Sequence, residues 1–126
     1  YCGKSGCVEK VISGPDLERF YFNESGTKRN LKEIYERYKA GNDEVALKTM
    51  KRLFHFFGLA LSVIINILDP DVIVIGGGVG NIDELYTEGV ESVRKHTFNN
   101  GVLDTPIVKP ILGDSAGVFG AAFLER

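Results

Sequence analysis

The feature that most constrains the fold is a long apolar helix that leads directly into a strand and then into a row of glycines. Helical spacing predicts one helix over roughly 44–68, with an amphipathic first half and a second half that is apolar nearly all round and so buried on most sides. Asp69-Pro70 ends this helix, and the β-branched run 72–75 predicts a strand covered on both faces. This order predicts an α/β layer with helices packed on parallel strands.

The rest of the chain supplies one more strand and several shorter helices. The second strand is predicted over 107–112, where Pro110 confines it to a sheet edge or a bulge. Helices are predicted from Pro15, after a cap at Asn30, over 83–97 and over 116–124. Two strands make a poor sheet, so we expect further strands upstream of Tyr1. The chain starts without Met, and we interpret 1–126 as a single domain of a longer protein.

Composition excludes some classes of function. The chain has 126 residues, of which 15 are basic and 17 acidic, and this balance disfavours nucleic-acid binding, which needs a basic patch. The longest apolar stretch, 53–68, is interrupted by polar residues and falls short of the roughly 20 residues that span a bilayer. No signal peptide opens the chain. We therefore expect a soluble, cytoplasmic protein without a membrane segment.

The glycine-rich loop 76–80 follows the first strand, at the end where open α/β sheets bind ligands. It is not a dinucleotide fingerprint, because Asn81 stands where the third glycine belongs and the acids Asp83 and Glu84 would repel a pyrophosphate. It is not a phosphate-binding P-loop either, because no Gly-Lys-Ser/Thr follows. The loop suits a flat, uncharged group such as adenosine, although a tight strand-to-helix turn explains the same spacing.

Two cysteines and a glutamate stand together at the start of the chain. Cys2 and Cys7 are spaced so that both thiols could reach one metal ion, but two free thiols or a local disulfide fit the pair equally. His55 is interpreted as a buried core residue and His96 as a helix-end residue, which makes both weak candidates for completing a metal site. Glu9 is either a surface residue at a helix start or a carboxylate that accepts hydrogen bonds from sugar hydroxyls.

Three segments together resemble the ROK family of sugar kinases and regulators. Residues 2–9, Cys-Gly-Lys-Ser-Gly-Cys-Val-Glu, are similar to the latter part of that family's cysteine signature. Residues 66–79 resemble its adenosine motif, and residues 113–122 resemble its closing helix. The resemblance implies the C-terminal half of an actin-like, ribonuclease H-like kinase fold, with helices on a small, mostly parallel sheet.

The resemblance also implies roles for particular residues. Cys2 and Cys7 would be two cysteine ligands of a structural Zn²⁺ site that this chain does not complete, and Glu9 would contact the sugar. The backbone of Gly76, Gly77 and Gly78 would contact ATP, which acts with Mg²⁺. The family's phosphate loops and catalytic aspartate belong to sequence upstream of Tyr1, so no catalytic residue is predicted here.

The implied function is that of an ATP-dependent, glucokinase-like hexose kinase, of which this chain alone would be inactive. Its partners would be a hexose, ATP, the N-terminal half and a second copy in a homodimer. A sugar-sensing transcriptional regulator of the same family is the alternative. A small zinc-dependent interaction module is a third interpretation of the cysteine pair.

Overall fold

A 25-residue helix, Glu44–Leu68, forms the centre of the structure, and four other helices of the described chain pack against it. The computed structural model describes residues 3–4, 6–98, 102–113 and 116–124. In chain order the elements are α1 (Glu9–Ile12), α2 (Gly14–Ser25), α3 (Leu31–Ala40), α4 (Glu44–Leu68), β1 (Ile73–Val74), 3-10 turns at Gly78–Asn81 and Asp83–Tyr86, α5 (Glu88–His96), β2 (Ile107–Val108) and α6 (Ala116–Ala122). The central helix has the bounds that its sequence pattern predicts.

Local side-chain caps set the starts of α3 and α4. The Asn30 side chain accepts a hydrogen bond from the Glu33 N–H at 2.9 Å, and the Glu33 carboxylate accepts one from the Asn30 N–H at 2.9 Å, which together form a capping box. Asp43 caps α4 by accepting from the Ala46 N–H at 2.9 Å. Gly41 ends α3 with a φ of 70°, a conformation that suits glycine.

The core lies between α4 and the helices around it. Its fully or nearly buried apolar residues are Leu17, Tyr21, Ile34, Ala46, Met50, Leu53, Phe54, Phe57, Leu61, Ile65, Ile82, Leu85 and Val93. Helix α4 contributes seven of these thirteen, more than any other described element. The half-buried Ile73 and Ile75 pack against the same cluster, so the strands lie against the core through one face.

Helices α4 and α5 approach each other closely at a glycine. A Cβ atom on Gly58 would lie 2.1 Å from the Ser92 Oγ and 2.7 Å from the Ser92 backbone carbonyl carbon, so any larger residue would force the helices apart. One turn away, a Cβ on Gly89 would lie 3.1 Å from the Phe57 ring. Small residues on both helices therefore allow the tight packing.

The two strands pair in parallel, as predicted, with Ile73 opposite Ile107 and Val74 opposite Val108. Both are shorter than the predicted ranges 72–75 and 107–112. The prediction that the first strand is covered on both faces is wrong for the described residues, since Val72 is 49% exposed and Val74 is 54% exposed. A two-stranded sheet with helices on one side leaves its other face in solvent.

Helix α4 also departs from its prediction. Only one face of its second half is buried, because Val63, Ile64, Ile67 and Leu68 are exposed. His55 is exposed on α4, where its ring meets that of His96 edge-to-face at 5.7 Å, so its interpretation as a core histidine is wrong. The helix is long and apolar enough to cross a membrane, contrary to the sequence prediction, but its packing against α2, α3 and α5 is that of a core helix.

The predicted helix 83–97 is interrupted near its start. A 3-10 turn covers Asp83–Tyr86, and α5 begins only at Glu88. Thr87 separates the two with a φ of −121° and a ψ of −79°, outside the helical region. Because of this break, Asp83 and Glu84 belong to the 3-10 turn and not to α5.

Candidate functional site

The predicted glycine loop turns sharply away from β1 and leaves its surface open. Gly77 has a φ of 78° and a ψ of 174°, a conformation that non-glycine residues rarely adopt. A Cβ atom added at Gly76, Gly77 or Gly78 would meet nothing within 4 Å. The loop therefore offers bare backbone to whatever approaches it.

Gly80 has a different role, which the sequence analysis missed. It is buried, and a Cβ atom there would lie 2.5 Å from the Ile75 carbonyl oxygen. Its own carbonyl accepts a hydrogen bond from the Tyr86 hydroxyl at 2.8 Å. In the sequence, Gly80 stands directly after residues 66–79, the segment that resembles the adenosine motif. Gly80 holds the base of the loop against the end of β1.

An open depression of about 580 Å³ lies between this loop and α3. Its lining residues are Glu18, Asn30, Leu31, Lys32, Tyr35, Glu36, Lys39, Gly78, Asn81 and Ile82. Of the three glycines predicted to contact ATP, Gly78 lies in this lining, and the opposite wall comes mainly from α3. The sequence pattern of α3 predicts no ligand role, because its polar residues look like an ordinary solvated helix face.

Tyr35 joins the two walls of the depression. Its hydroxyl donates to the Glu84 carboxylate at 2.7 Å and accepts from the Asp83 N–H at 3.2 Å. On its other side, the ring of Tyr35 stacks with that of Tyr38 at 6.3 Å, and the Lys39 Nζ lies 4.5 Å from its centroid. Burial, together with the hydrogen bond to Glu84, raises the pKa of Tyr35 to about 12, so the hydroxyl keeps its proton at neutral pH.

The two acids at the start of the 3-10 turn are both engaged. Asp83 forms an ion pair with Lys109, and the hydrogen bond from that ammonium group lowers the pKa of Asp83. Glu84 accepts from Tyr35, as described above. Both carboxylates lie beside the glycine loop, and the preference of this place for an uncharged group over a pyrophosphate stays a prediction.

The cysteine segment is described only in part. Cys2 lies outside the described residues, and Cys7 is a half-buried free thiol. Gly3 and Gly6 have φ values of 71° and 82°, so the segment does turn at its glycines. Within the described ranges no three His, Cys, Asp or Glu side chains cluster as a metal site would require. Cys7 is the one predicted zinc ligand that this part of the structure supplies.

Glu9 is the first residue of α1, with an exposed side chain. Its position in the first helical turn suits a carboxylate, because the amide dipoles there are partly positive. Helix α1 packs against α2 and α4. Glu9 does not belong to the lining of the depression beside Gly78, so the predicted sugar contact and the predicted adenosine contact lie at different places on the described surface.

Comparison with known proteins identifies the class to which this fold and loop belong. The model of the ROK family matches residues 1–126, and the chain is a member of that family. Two curated relatives are N-acetyl-D-glucosamine kinases. That of Vibrio cholerae serotype O1 is 36% identical over 125 residues, and that of Mannheimia succiniciproducens is 36% identical over 124 residues. Each match covers 98% of this chain, which spans about 40% of the length of these relatives.

Solved structures confirm the predicted fold class. A ROK family glucokinase from Streptomyces griseus, in complex with glucose and AMPPNP, matches with a TM-score of 0.82 and 27% identity over 98% of this chain and 45% of its own. The ROK hexokinase from Thermus thermophilus matches with a TM-score of 0.82 and 31% identity over 98% of this chain and 42% of its own. This chain therefore has the actin-like fold of ROK kinases.

Proposed function

We propose that this chain is the C-terminal part of an ATP-dependent sugar kinase, which transfers a phosphoryl group from ATP to a hydroxyl of a hexose. The observation that carries the proposal is the family match over all 126 residues, together with 36% identity to kinases of N-acetyl-D-glucosamine. N-acetyl-D-glucosamine is accordingly the first substrate to test, and glucose is the second. As an enzyme of sugar metabolism, the protein would act in the cytoplasm.

We further propose that Gly76, Gly77 and Gly78 contact the adenosine of ATP. The bare backbone of this loop and the depression beside Gly78 support this role, because a flat ligand can approach glycine closely. Bound Mg²⁺ would neutralise charge on the transferred phosphoryl group. Phosphoryl transfer also needs phosphate-positioning groups and an oriented nucleophile, which we assign to sequence outside this chain.

Glu9 is proposed to orient the sugar by accepting hydrogen bonds from its hydroxyls. Such bonds are charge-assisted and therefore directional and strong. Cys2 and Cys7 are proposed to hold a structural Zn²⁺ that braces the loop carrying Glu9. Gly3 and Gly6 both lie between the two cysteines and have positive φ values, which supports a sharp turn of this segment.

The regulator alternative has weaker support. A ROK family transcriptional regulator, a homologue of the E. coli MLC protein, matches with a TM-score of 0.69 over 86% of this chain and 30% of its own. At 23% identity this likeness concerns the fold alone. The kinases are more similar in sequence, and the open glycine loop suits a nucleotide, so the kinase is preferred.

A chimera tests the proposed function. This chain replaces the matching segment of the Vibrio cholerae N-acetyl-D-glucosamine kinase, and ADP release is measured with N-acetyl-D-glucosamine and with glucose. We expect turnover by the chimera and none by the 126-residue chain alone. Glu9→Gln in the chimera should lower kcat/KM by about tenfold or more, since one charge-assisted contact to the sugar is lost. A folded chimera without turnover on either sugar would contradict the proposal.

The zinc site is tested on the same chimera by metal analysis under reducing conditions. We expect zinc bound in proportion to protein, with Cys7→Ser losing most of it because a thiolate ligand is removed. A folded, active chimera without zinc would remove the structural-zinc role and leave the kinase proposal standing.

A further inference from the structure

We propose that Tyr35 is a positioning residue, which holds the α3 wall of the depression against the glycine loop and so supports adenosine binding there. This inference rests on the proposed function, since it takes the ligand of the depression to be adenosine.

Tyr35 lies between two elements, α3 and the turn at Asp83–Tyr86. Its ring lines the depression from the α3 side. Its hydroxyl bonds both the backbone and a side chain of the turn that follows Gly78–Asn81, through the Asp83 N–H and the Glu84 carboxylate. One side chain therefore fixes the separation of the two walls, and Tyr35 and Asp83 are 48 positions apart in the sequence.

The charged side chains that line the depression balance each other. Two lysines and two glutamates line it, so the summed charge of these groups is near zero. Glu18 already accepts from the Leu31 N–H at 2.8 Å, and Lys39 lies over the Tyr35 ring. A lining whose charges balance favours a neutral, planar ligand over a phosphate. Adenosine fits this description, with its phosphates directed away from α3.

The hydroxyl of Tyr35 acts on the ligand through the loop. Without it, the Asp83 N–H loses its acceptor and the Glu84 carboxylate loses a donor. The loop would then occupy the binding-competent arrangement for a smaller fraction of the time, and the apparent dissociation constant rises by the same factor. One hydrogen bond of ordinary net strength corresponds to a change of roughly three- to tenfold.

The chain provides a closely matched control in Tyr38. Tyr38 is on the same helix, stacks on Tyr35, and donates its hydroxyl to the Glu88 carboxylate at 2.9 Å. It also joins α3 to the region of α5, but it does not line the depression. Tyr35→Phe and Tyr38→Phe each remove one hydroxyl from a tyrosine–glutamate pair, so a merely structural effect should appear in both.

The experiment is a titration of the 126-residue chain with adenosine, followed by ¹H–¹⁵N NMR, for the wild type and both variants. We expect adenosine to shift the amides of the glycine loop and of α3. Tyr35→Phe should raise the dissociation constant by about three- to tenfold, and Tyr38→Phe should leave it within about twofold of the wild type. Thermal unfolding of each variant reports any general loss of stability.

Different outcomes of this titration test the adenosine role of the glycine loop and the positioning role of Tyr35. Absence of binding by the wild type would overturn the adenosine role of this loop, and with it the inference. Binding by the wild type with unchanged affinity in Tyr35→Phe, or with equal losses in both variants, would overturn the role of Tyr35 alone. If Tyr35→Phe does not fold, Glu84→Ala removes the acceptor of the hydroxyl and keeps the ring. Unchanged affinity in that variant would likewise overturn the inference.

Discussion

Glycine residues serve three different purposes in this chain. Gly77 provides a backbone conformation that other residues rarely adopt. Gly58 and Gly80 provide close contacts that a Cβ atom would prevent. Gly76 and Gly78 have neither a positive φ nor a close neighbour, so the fold itself does not require glycine there. Their small size is compatible with the proposed approach of adenosine to the loop.

Gly58→Ala should destabilise the fold. The added Cβ would lie 2.1 Å from the Ser92 Oγ and 2.7 Å from the Ser92 backbone, which only a shift of α5 can relieve. Overpacking of this kind costs about 1–3 kcal/mol, and more where backbone must move. The free energy of unfolding in urea measures the effect.

Gly14→Ala is the matched control for that substitution. Gly14 is also a helical glycine, but a Cβ there would lie 3.6 Å from the nearest atom of Leu31, an ordinary contact. The free energy of unfolding of Gly14→Ala should stay within about 1 kcal/mol of that of the wild type. Equal stability of Gly58→Ala and the wild type would show that the packing of α4 on α5 is looser than the structure indicates.

At the scale of elements, the helix starts depend on single side chains that act locally. Asp43 accepts from the Ala46 N–H at 2.9 Å, from the Tyr21 hydroxyl at 2.7 Å and from Arg37 at 3.3 Å. Burial raises the pKa of Asp43, but these hydrogen bonds outweigh burial and hold it below its usual value. A carboxyl with a lowered pKa in the folded state stabilises it above the ordinary pKa of 3.8, and this contribution disappears as the pH falls below that value.

Asp43→Asn and Asp43→Ala should separate the cap from the charge. Alanine removes the cap and leaves the Tyr21 hydroxyl without its acceptor, so we expect a loss of about 1–3 kcal/mol at neutral pH. Asparagine keeps an acceptor for Ala46, so its loss should be smaller, and stability should fall less steeply between about pH 4 and pH 2. Unfolding free energies across this range test both expectations.

The exposed Asp71 offers a control for general effects of removing an acid. Asp71→Asn should leave the acid dependence of stability as in the wild type. If Asp43→Asn and the wild type lose stability equally on acidification, Asp43 is not the group that links folding to pH.

The elements that could be predicted from sequence are those defined by local chemistry. The Asn30 cap and the Asp69-Pro70 stop are local, and the bounds of α4 and the start of α3 agree with the structure. The exposure of His55 could not be predicted, because it depends on which face of α4 its neighbours cover. The strands could be located but not their lengths, since a strand extends only as far as its partner does. The glycine loop of the site was recognisable in the sequence, whereas the α3 wall could not be predicted because it is distant from the loop in sequence.

At the scale of the whole molecule, the notable property is the apolar surface left uncovered. Val72, just before β1, and Val74 in β1 are exposed, and Ile67 and Leu68 are exposed at 74% and 70% at the end of α4. The chain spans about 40% of the length of its curated relatives, so a longer protein would have further sequence available to cover this surface. Burial of apolar area is favoured by roughly 25 cal/mol per Å².

We therefore expect the 126-residue chain to self-associate, and Ile67→Lys to shift it toward the monomer. The charged side chain would oppose burial of this part of α4 in a contact between copies. Sedimentation analysis over a range of protein concentrations measures the effect. Leu47→Lys, at an exposed apolar position near the start of the same helix, is the control and should change association less. A wild-type chain that stays monomeric throughout would contradict the expectation.

The bond between Tyr35 and the Asp83 N–H has a consequence for hydrogen exchange. Most protected amides in a helical protein report the stability of their own helix, whereas this one is bonded to a side chain of another helix. Its exchange with deuterated solvent requires α3 and the turn to separate, even while both stay folded. The protection of a single backbone position thus measures the opening free energy of the depression, and a ligand that bridges the two walls should slow its exchange.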